Sequence, residues 1–199
     1  MKKKIFIFSD SVIACPNLNV KFKCIKILSK KIKTFKIAHK GIVGATSRVA
    51  LENLEKYVLR RKIDYAIFQF GMNDSWYFKS LKGLPNVSEK SFETNLIEII
   101  LKCKKFNIKK IFFLNYHKVL KNRKEINRKS VNQNLKKFNY IIKSVSKNKT
   151  GVALIDVNKL TSKFSSKSLC LPEPDGVHLS RSGAEVYAKI IFNYLEKVK

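Results

Sequence analysis

The sequence predicts an α/β protein in which a parallel sheet carries helices on both faces. Three observations lead there. Five short apolar runs recur along the chain, and longer segments with apolar residues at helical spacing lie between them. Strand and helix therefore alternate from end to end. The third observation is bulk: 199 residues, 45% hydrophobic, with only 7 Gly and 4 Pro. Such a chain can bury a core without disulfide or metal staples, and it is too apolar for a disordered or fibrous protein. The expected unit is one domain over residues 1–199.

The expected strands are residues 4–8 (KIFIF), 34–38 (TFKIA), 65–70 (YAIFQF), 111–115 (IFFLN) and 152–157 (VALIDV). Each is short, rich in Ile, Phe or Val, and bounded by charged or turn-forming residues. After the first strand, Leu18, Phe22, Ile25 and Ile32 fit one helical face. After the second, Ala50, Leu54, Tyr57 and Val58 do the same. Phe92, Leu96, Ile99, Ile100 and Cys103 form the third stripe, and Val131, Leu135, Phe138, Ile142 and Val145 the fourth. The last comprises Ala184, Tyr187, Ala188, Ile191 and Leu195, opened by Ser180 as N-cap.

A formal net charge of +28 from 42 Lys and Arg against 14 Asp and Glu first suggests a polyanion partner. Its distribution argues otherwise. Lys outnumbers Arg 36 to 6, whereas nucleic-acid readers exploit the bidentate guanidinium fork. The excess falls in two blocks, +11 over residues 1–50 and +15 over 101–150. These blocks consist mostly of spaced lysines on amphipathic helices, the pattern of a solvated shell. No specific nucleic-acid partner is expected.

Cys15, Cys24, Cys103 and Cys170 form no C-x-x-C pair and no zinc spacing, so reduced thiols are expected. His39, His117 and His178 are too scattered for a metal site, and neither a P-loop nor a dinucleotide fingerprint occurs. The expectation is no metal and no cofactor. The basic start and apolar run before Ser9 are shorter than the roughly 7–15 apolar residues of a secretion signal. No later run is long enough to span a bilayer. A cytoplasmic protein is expected, and the oligomeric state stays open.

In open parallel sheets ligands bind beyond the carboxyl ends of the strands. Four clusters fall there: Ser9-Asp10-Ser11, Gly41 to Thr46, Gly71-Met72-Asn73-Asp74, and Asp175-Gly176-Val177-His178. Singly, each is ordinary turn or capping chemistry. Together they supply hydrolytic parts. Ser11 offers a hydroxyl that needs a base, and His178 can be that base. Asp175, three residues earlier, can meet the imidazole Nδ1–H. The Ser11 amide, the Gly44 amide and the Asn73 carboxamide can supply donors to an oxyanion.

In this order and at these positions, Ser11, Gly44, Asn73 and His178 resemble the SGNH hydrolases, also called the GDSL esterase/lipase family. The resemblance runs from residue 4 to about 195. It implies a flavodoxin-like three-layer α/β/α sandwich with a five-stranded parallel sheet. It further implies Ser11 as nucleophile, His178 as base, Asp175 as orienting acid, and an oxyanion hole of Ser11, Gly44 and Asn73. One position departs: Ser9 stands where the family usually carries Gly. A strand-end backbone accepts Ser there, whereas a left-handed one costs ~1 kcal/mol.

The resemblance implies a carboxylic-ester hydrolase without specifying the ester. A chain with no long insertion for a lid favours a small acyl group or an open cleft. Asp10, Asp74, Trp76 and Tyr77 are expected at the substrate, the aromatic pair lining the entrance. Lys118, Lys121, Arg123 and Lys167 approach the same sheet edge and offer a bias toward anionic substrates. The favoured reading is an O-acetyl esterase on a sugar or glycan precursor. Three alternatives stay open: a thioesterase or lysophospholipase-type acyl hydrolase, an acyltransferase on the same site, and a non-catalytic module binding an anionic polymer.

Overall fold

The computed structural model describes residues 2–76, 84–120 and 131–198. Strand β1 (Lys3–Ser9) leads into a single helical turn, α1 (Ser11–Ala14), followed by α2 (Cys24–Lys31). Then come β2 (Phe35–Gly41), α3 (Ser47–Glu52), β3 (Tyr65–Gln69), the short α4 (Met72–Ser75) and the long α5 (Glu89–Lys105). Strand β4 (Lys110–Leu114), α6 (Val131–Ser146) and β5 (Val152–Ile155) follow, then α7 (Val157–Thr161), α8 (Ser166–Leu169) and α9 (Arg181–Glu196).

The sheet has the order β2-β1-β3-β4-β5, and every pairing is parallel. Central β1 from Ile5 to Phe8 and β3 from Tyr65 to Phe68 are continuously apolar because helices cover both of their faces. On edge strand β2, buried and exposed positions alternate in its first half instead. Helix α9 packs with α2, α7 and α8, while α5 packs with α3 and α6. These are the two outer layers of an α/β/α three-layer sandwich. Helices α2 and α6, one from each basic block, therefore sit in different layers, which agrees with a distributed lysine shell.

Four of the five strands lie within two residues of their expected bounds, and β2 runs three residues longer than expected, to Gly41. Strand β5 ends at Ile155 rather than 157, because Asp156 turns its carboxylate to the Lys159 N–H and caps α7. The stripes on α5, α6 and α9 are buried as expected, and Ser180 caps α9 by accepting from the Gly183 N–H.

The first stripe needs correction. Asn19 accepts from the Lys21 N–H and starts a separate 3-10 turn over Val20–Phe22; a new helix begins at Cys24. The core positions are consequently Cys24, Leu28 and Ile32, while Leu18, Phe22 and Ile25 are only partly buried. In the second stripe a π turn over Glu55–Leu59 follows α3; it keeps Ala50, Leu54 and Val58 inside and leaves Tyr57 partly exposed.

Candidate active site

Reversal of strand order at β1 and β3 opens a crevice at their carboxyl ends, and Ser11 emerges there. The end of β1 is tied on both sides: the Asp10 N–H donates to the Gln69 carbonyl at 3.1 Å, and the Ile42 N–H donates to the Ser9 carbonyl at 2.9 Å. Ser9 is the last strand residue, so its backbone is extended and a side chain is tolerated. Its hydroxyl lies 3.0 Å from both the Asp10 carbonyl oxygen and His39 Nε2. Asp10 then caps α1, accepting from the Val12 N–H at 2.9 Å. Ser11 occupies the first helical position, where a backbone N–H has no intrahelical acceptor.

The second group comes from the loop before α9. Asp175 Oδ1 accepts from the N–H groups of Val177 at 3.0 Å and His178 at 2.8 Å, closing the three-residue interval into one turn. Asp175 Oδ2 lies 2.8 Å from His178 Nδ1, and it also accepts from Asn17 Nδ2 at 3.0 Å. His178 Nε2 lies 2.9 Å from Ser11 Oγ. Partial burial works to raise the Asp175 carboxyl. The two backbone N–H groups and the imidazole outweigh it and hold the group below the usual carboxylate value. A carboxylate only accepts, so Nδ1 is the protonated ring nitrogen and Nε2 is free to accept the Ser11 proton.

Gly44 and Asn73 face the same space. Gly44 has φ +73°, a left-handed conformation that disfavours a side chain; a Cβ there would meet nothing within 4 Å. The glycine is thus required by its backbone and not by crowding. Asn73 sits on α4 and donates from Nδ2 to the Ala45 carbonyl at 2.9 Å, with Asp10 Oδ2 at 3.5 Å. A cavity of about 470 Å³ opens over these groups, with Ser11, Gly44, Asn73, Asn86, Asp175 and His178 on its polar side. Val43, Met72, Trp76 and Val177 make its apolar wall. A hydroxyl, an imidazole, a carboxylate and convergent donors in one cleft can perform acyl transfer.

Two expected substrate contacts are corrected. Asp10 and Asp74 have no exposed surface. Tyr116 donates its hydroxyl proton to Asp10 Oδ2 at 2.6 Å. Asp74 accepts from the Ser47 N–H and, at 2.5 Å, from the Ser47 hydroxyl, which in turn accepts from Asn95. Both carboxyls are occupied inside the protein and brace the strand ends. Trp76 does line the cleft. Tyr77, Lys121 and Arg123 lie outside the described residues, while Lys118 and Lys167 are exposed and do not line it. Sequence reasoning missed Asn17, Asn86 and Tyr116, since a lone Asn or Tyr in a loop carries no periodic or motif signal.

A parallel α/β/α sandwich with this cleft at its switch point defines a class, the serine ester hydrolases. The chain belongs to the GDSL-like lipase/acylhydrolase family, whose model matches residues 15–191. The match begins after Ser11, so the geometry alone speaks for that residue. No curated protein matches the sequence. Among solved structures, the chain is similar to a lipase/acylhydrolase from Enterococcus faecalis, with 22% identity and a TM-score of 0.75 over 98% of this chain and 96% of that one. It is also similar to the acetyl xylan esterase AlAXEase, with 20% identity and a TM-score of 0.77 over 96% and 99%. An acetylxylan esterase from Geobacillus stearothermophilus gives 18% identity and a TM-score of 0.75 over 96% and 93%. At these identities the likeness is one of fold. No helix among the described residues is long and apolar enough to cross a membrane.

Proposed function

We propose that this chain, working as one domain, hydrolyses carboxylic esters through a Ser11-His178-Asp175 triad. The observation that carries the reading is the continuous relay from Asp175 Oδ2 to His178 Nδ1 at 2.8 Å and from His178 Nε2 to Ser11 Oγ at 2.9 Å. His178 Nε2 takes the Ser11 proton as Oγ bonds to the acyl carbon. The carbonyl oxygen becomes an oxyanion met by the Ser11 and Gly44 amides and the Asn73 carboxamide. The tetrahedral species collapses, the alcohol leaves with the proton from His178, and an acyl-Ser11 ester remains. Water, deprotonated by His178, then releases the acid and restores Ser11.

For the substrate, a short acyl group on a sugar or glycan precursor fits best. The cleft is small and open, and a single Trp stands on its apolar wall, a surface on which a sugar face can stack. Two of the similar structures carry acetylxylan esterase names. The test is an acyl-length series of p-nitrophenyl esters beside acetylated sugars, run on the wild type and Ser11→Ala. Acetate should turn over faster than octanoate, an acetylated sugar should be cleaved, and Ser11→Ala should abolish both while melting like the wild type. Undiminished turnover by Ser11→Ala would remove Ser11 as the nucleophile.

A further inference from the structure

The helix that carries Asn73 is held by a residue far from it in sequence. A single turn such as α4 cannot satisfy its own C-terminal carbonyls, and each is met from outside. The Asn86 side chain donates from Nδ2 to the Asn73 carbonyl at 2.8 Å, and the Asn86 N–H donates to the Trp76 carbonyl at 2.8 Å. The Val87 N–H reaches the Asp74 carbonyl at 3.2 Å, and Asn134 Nδ2 reaches that of Ser75. Asn86 thus supplies two of these bonds, one of them to the very residue whose carboxamide faces the cleft. Asn86 is itself fixed, because Ser88, two residues on, caps the long helix α5.

The other atom of its carboxamide makes the arrangement informative. Asn86 Oδ1 is buried with no hydrogen-bond partner among the described residues. Turning the amide over would not relieve it, since Oδ1 would then face the Asn73 carbonyl oxygen and both acceptors would be unpaired. A buried acceptor without a donor is a standing cost, one that native structures keep to a few places. Here the cost accompanies a donor aimed at the Asn73 main chain. Asn73 is then gripped at both ends, its carbonyl by Asn86 and its amide nitrogen by the Ala45 carbonyl. That double grip fixes the carboxamide, whose second Nδ2 hydrogen lies toward Asp10 Oδ2 at the long distance of 3.5 Å.

We infer that Asn86 is a positioning residue for the oxyanion donor Asn73, an inference that rests on the esterase reading of the cleft. Its side chain borders the cleft, but Nδ2 is committed to the Asn73 carbonyl and Oδ1 is buried, so neither polar atom is offered to the reacting ester. Its contribution lies in holding a donor where the transition-state charge develops, which affects turnover far more than ground-state binding.

The test uses Asn86→Leu, which matches the volume and removes both the donor and the orphan acceptor, and Asn86→Asp, which keeps the shape and removes the donor. Ser146→Ala serves as a structural control, since its buried hydroxyl bonds Ile142 on α6. Three readouts are taken on the full chain: kcat and KM with p-nitrophenyl acetate, the rate of Ser11 labelling by a fluorophosphonate followed by mass spectrometry, and the melting temperature. Both Asn86 variants should lose about 10-fold in kcat with KM within about twofold, and labelling should slow in parallel. Asn86→Leu should melt no lower than Ser146→Ala, which keeps full kcat. Wild-type kcat and labelling in a folded Asn86→Leu or Asn86→Asp would overturn the inference alone. Failure of the wild type to label at Ser11 would overturn the esterase reading and the inference with it.

Discussion

Tyr116, just past the end of β4, donates a 2.6 Å hydrogen bond to the carboxyl of Asp10, the residue immediately before Ser11. The bond spans 106 positions of sequence and lies wholly inside the protein. Asn139 on α6 pairs with both the N–H and the carbonyl of Tyr116 at 2.9 Å. The outer helix layer is thereby connected to the cap of α1, and so to the orientation of Ser11.

Tyr116→Phe should therefore destabilise the fold by about 1–3 kcal/mol, because it leaves a buried carboxyl oxygen without its closest donor. Urea unfolding should show a lower midpoint with an unchanged slope. In an Asp10→Asn background the same substitution should cost less, since the two side chains share one interaction.

Buried ionisable groups impose opposite pH dependences. Burial raises the Asp10 carboxyl from 3.8 to about 7, against the Tyr116 and Val12 bonds that lower it and the Asp74 charge that raises it further. Between these values the unfolded chain has released a proton that the folded chain retains, so stability falls as pH rises across the window. Asp74, raised by burial to about 6, acts in the same direction. His117, lowered by burial from 6.5 to about 4, acts oppositely: the unfolded chain protonates first, so stability is lost as pH falls from 6.5 toward 4. In the wild type these contributions offset one another. Asp10→Asn should be more stable than the wild type at pH 8, by on the order of 1–4 kcal/mol, and should lose that advantage near pH 3.5. His117→Gln should flatten the acid limb instead. Urea titrations at stepped pH would check both signs.

Asp175→Asn tests the relay without removing its scaffold. The new carbonyl oxygen can still accept from the Val177 and His178 amides. Its NH₂ group, however, would face His178 Nδ1, so the ring would carry its proton on Nε2, toward Ser11. Turnover should fall by roughly 10²–10⁴-fold with KM little changed and the melting temperature within a few degrees. An activity loss matched by a loss of the folded state would point to structure instead.

Much of this was legible in the chain. Ile5 to Phe8 and Tyr65 to Phe68 read as strands because both faces of a central parallel strand are apolar. The stripes on α5, α6 and α9 read as helices because one face of each is buried at a steady period. The Leu18 to Ile32 stripe misled because Asn19, a local cap, broke it into two elements. Asp10 and Asp74 misled for a related reason: an acidic residue at a strand end looks the same in sequence whether its carboxylate faces solvent or a buried hydroxyl.

The sequence by itself determined the alternation, the parallel sheet, and the residue types at the strand ends, because periodicity and turn chemistry are local properties. Tertiary structure alone decided which polar groups meet. Asn17 on Asp175, Asn86 on Asn73, Ser47 on Asp74 and Tyr116 on Asp10 are pairs separated by 13 to 158 positions. A hydrogen bond extends about 3 Å and is indifferent to sequence distance, so only the folded chain could assign these partners.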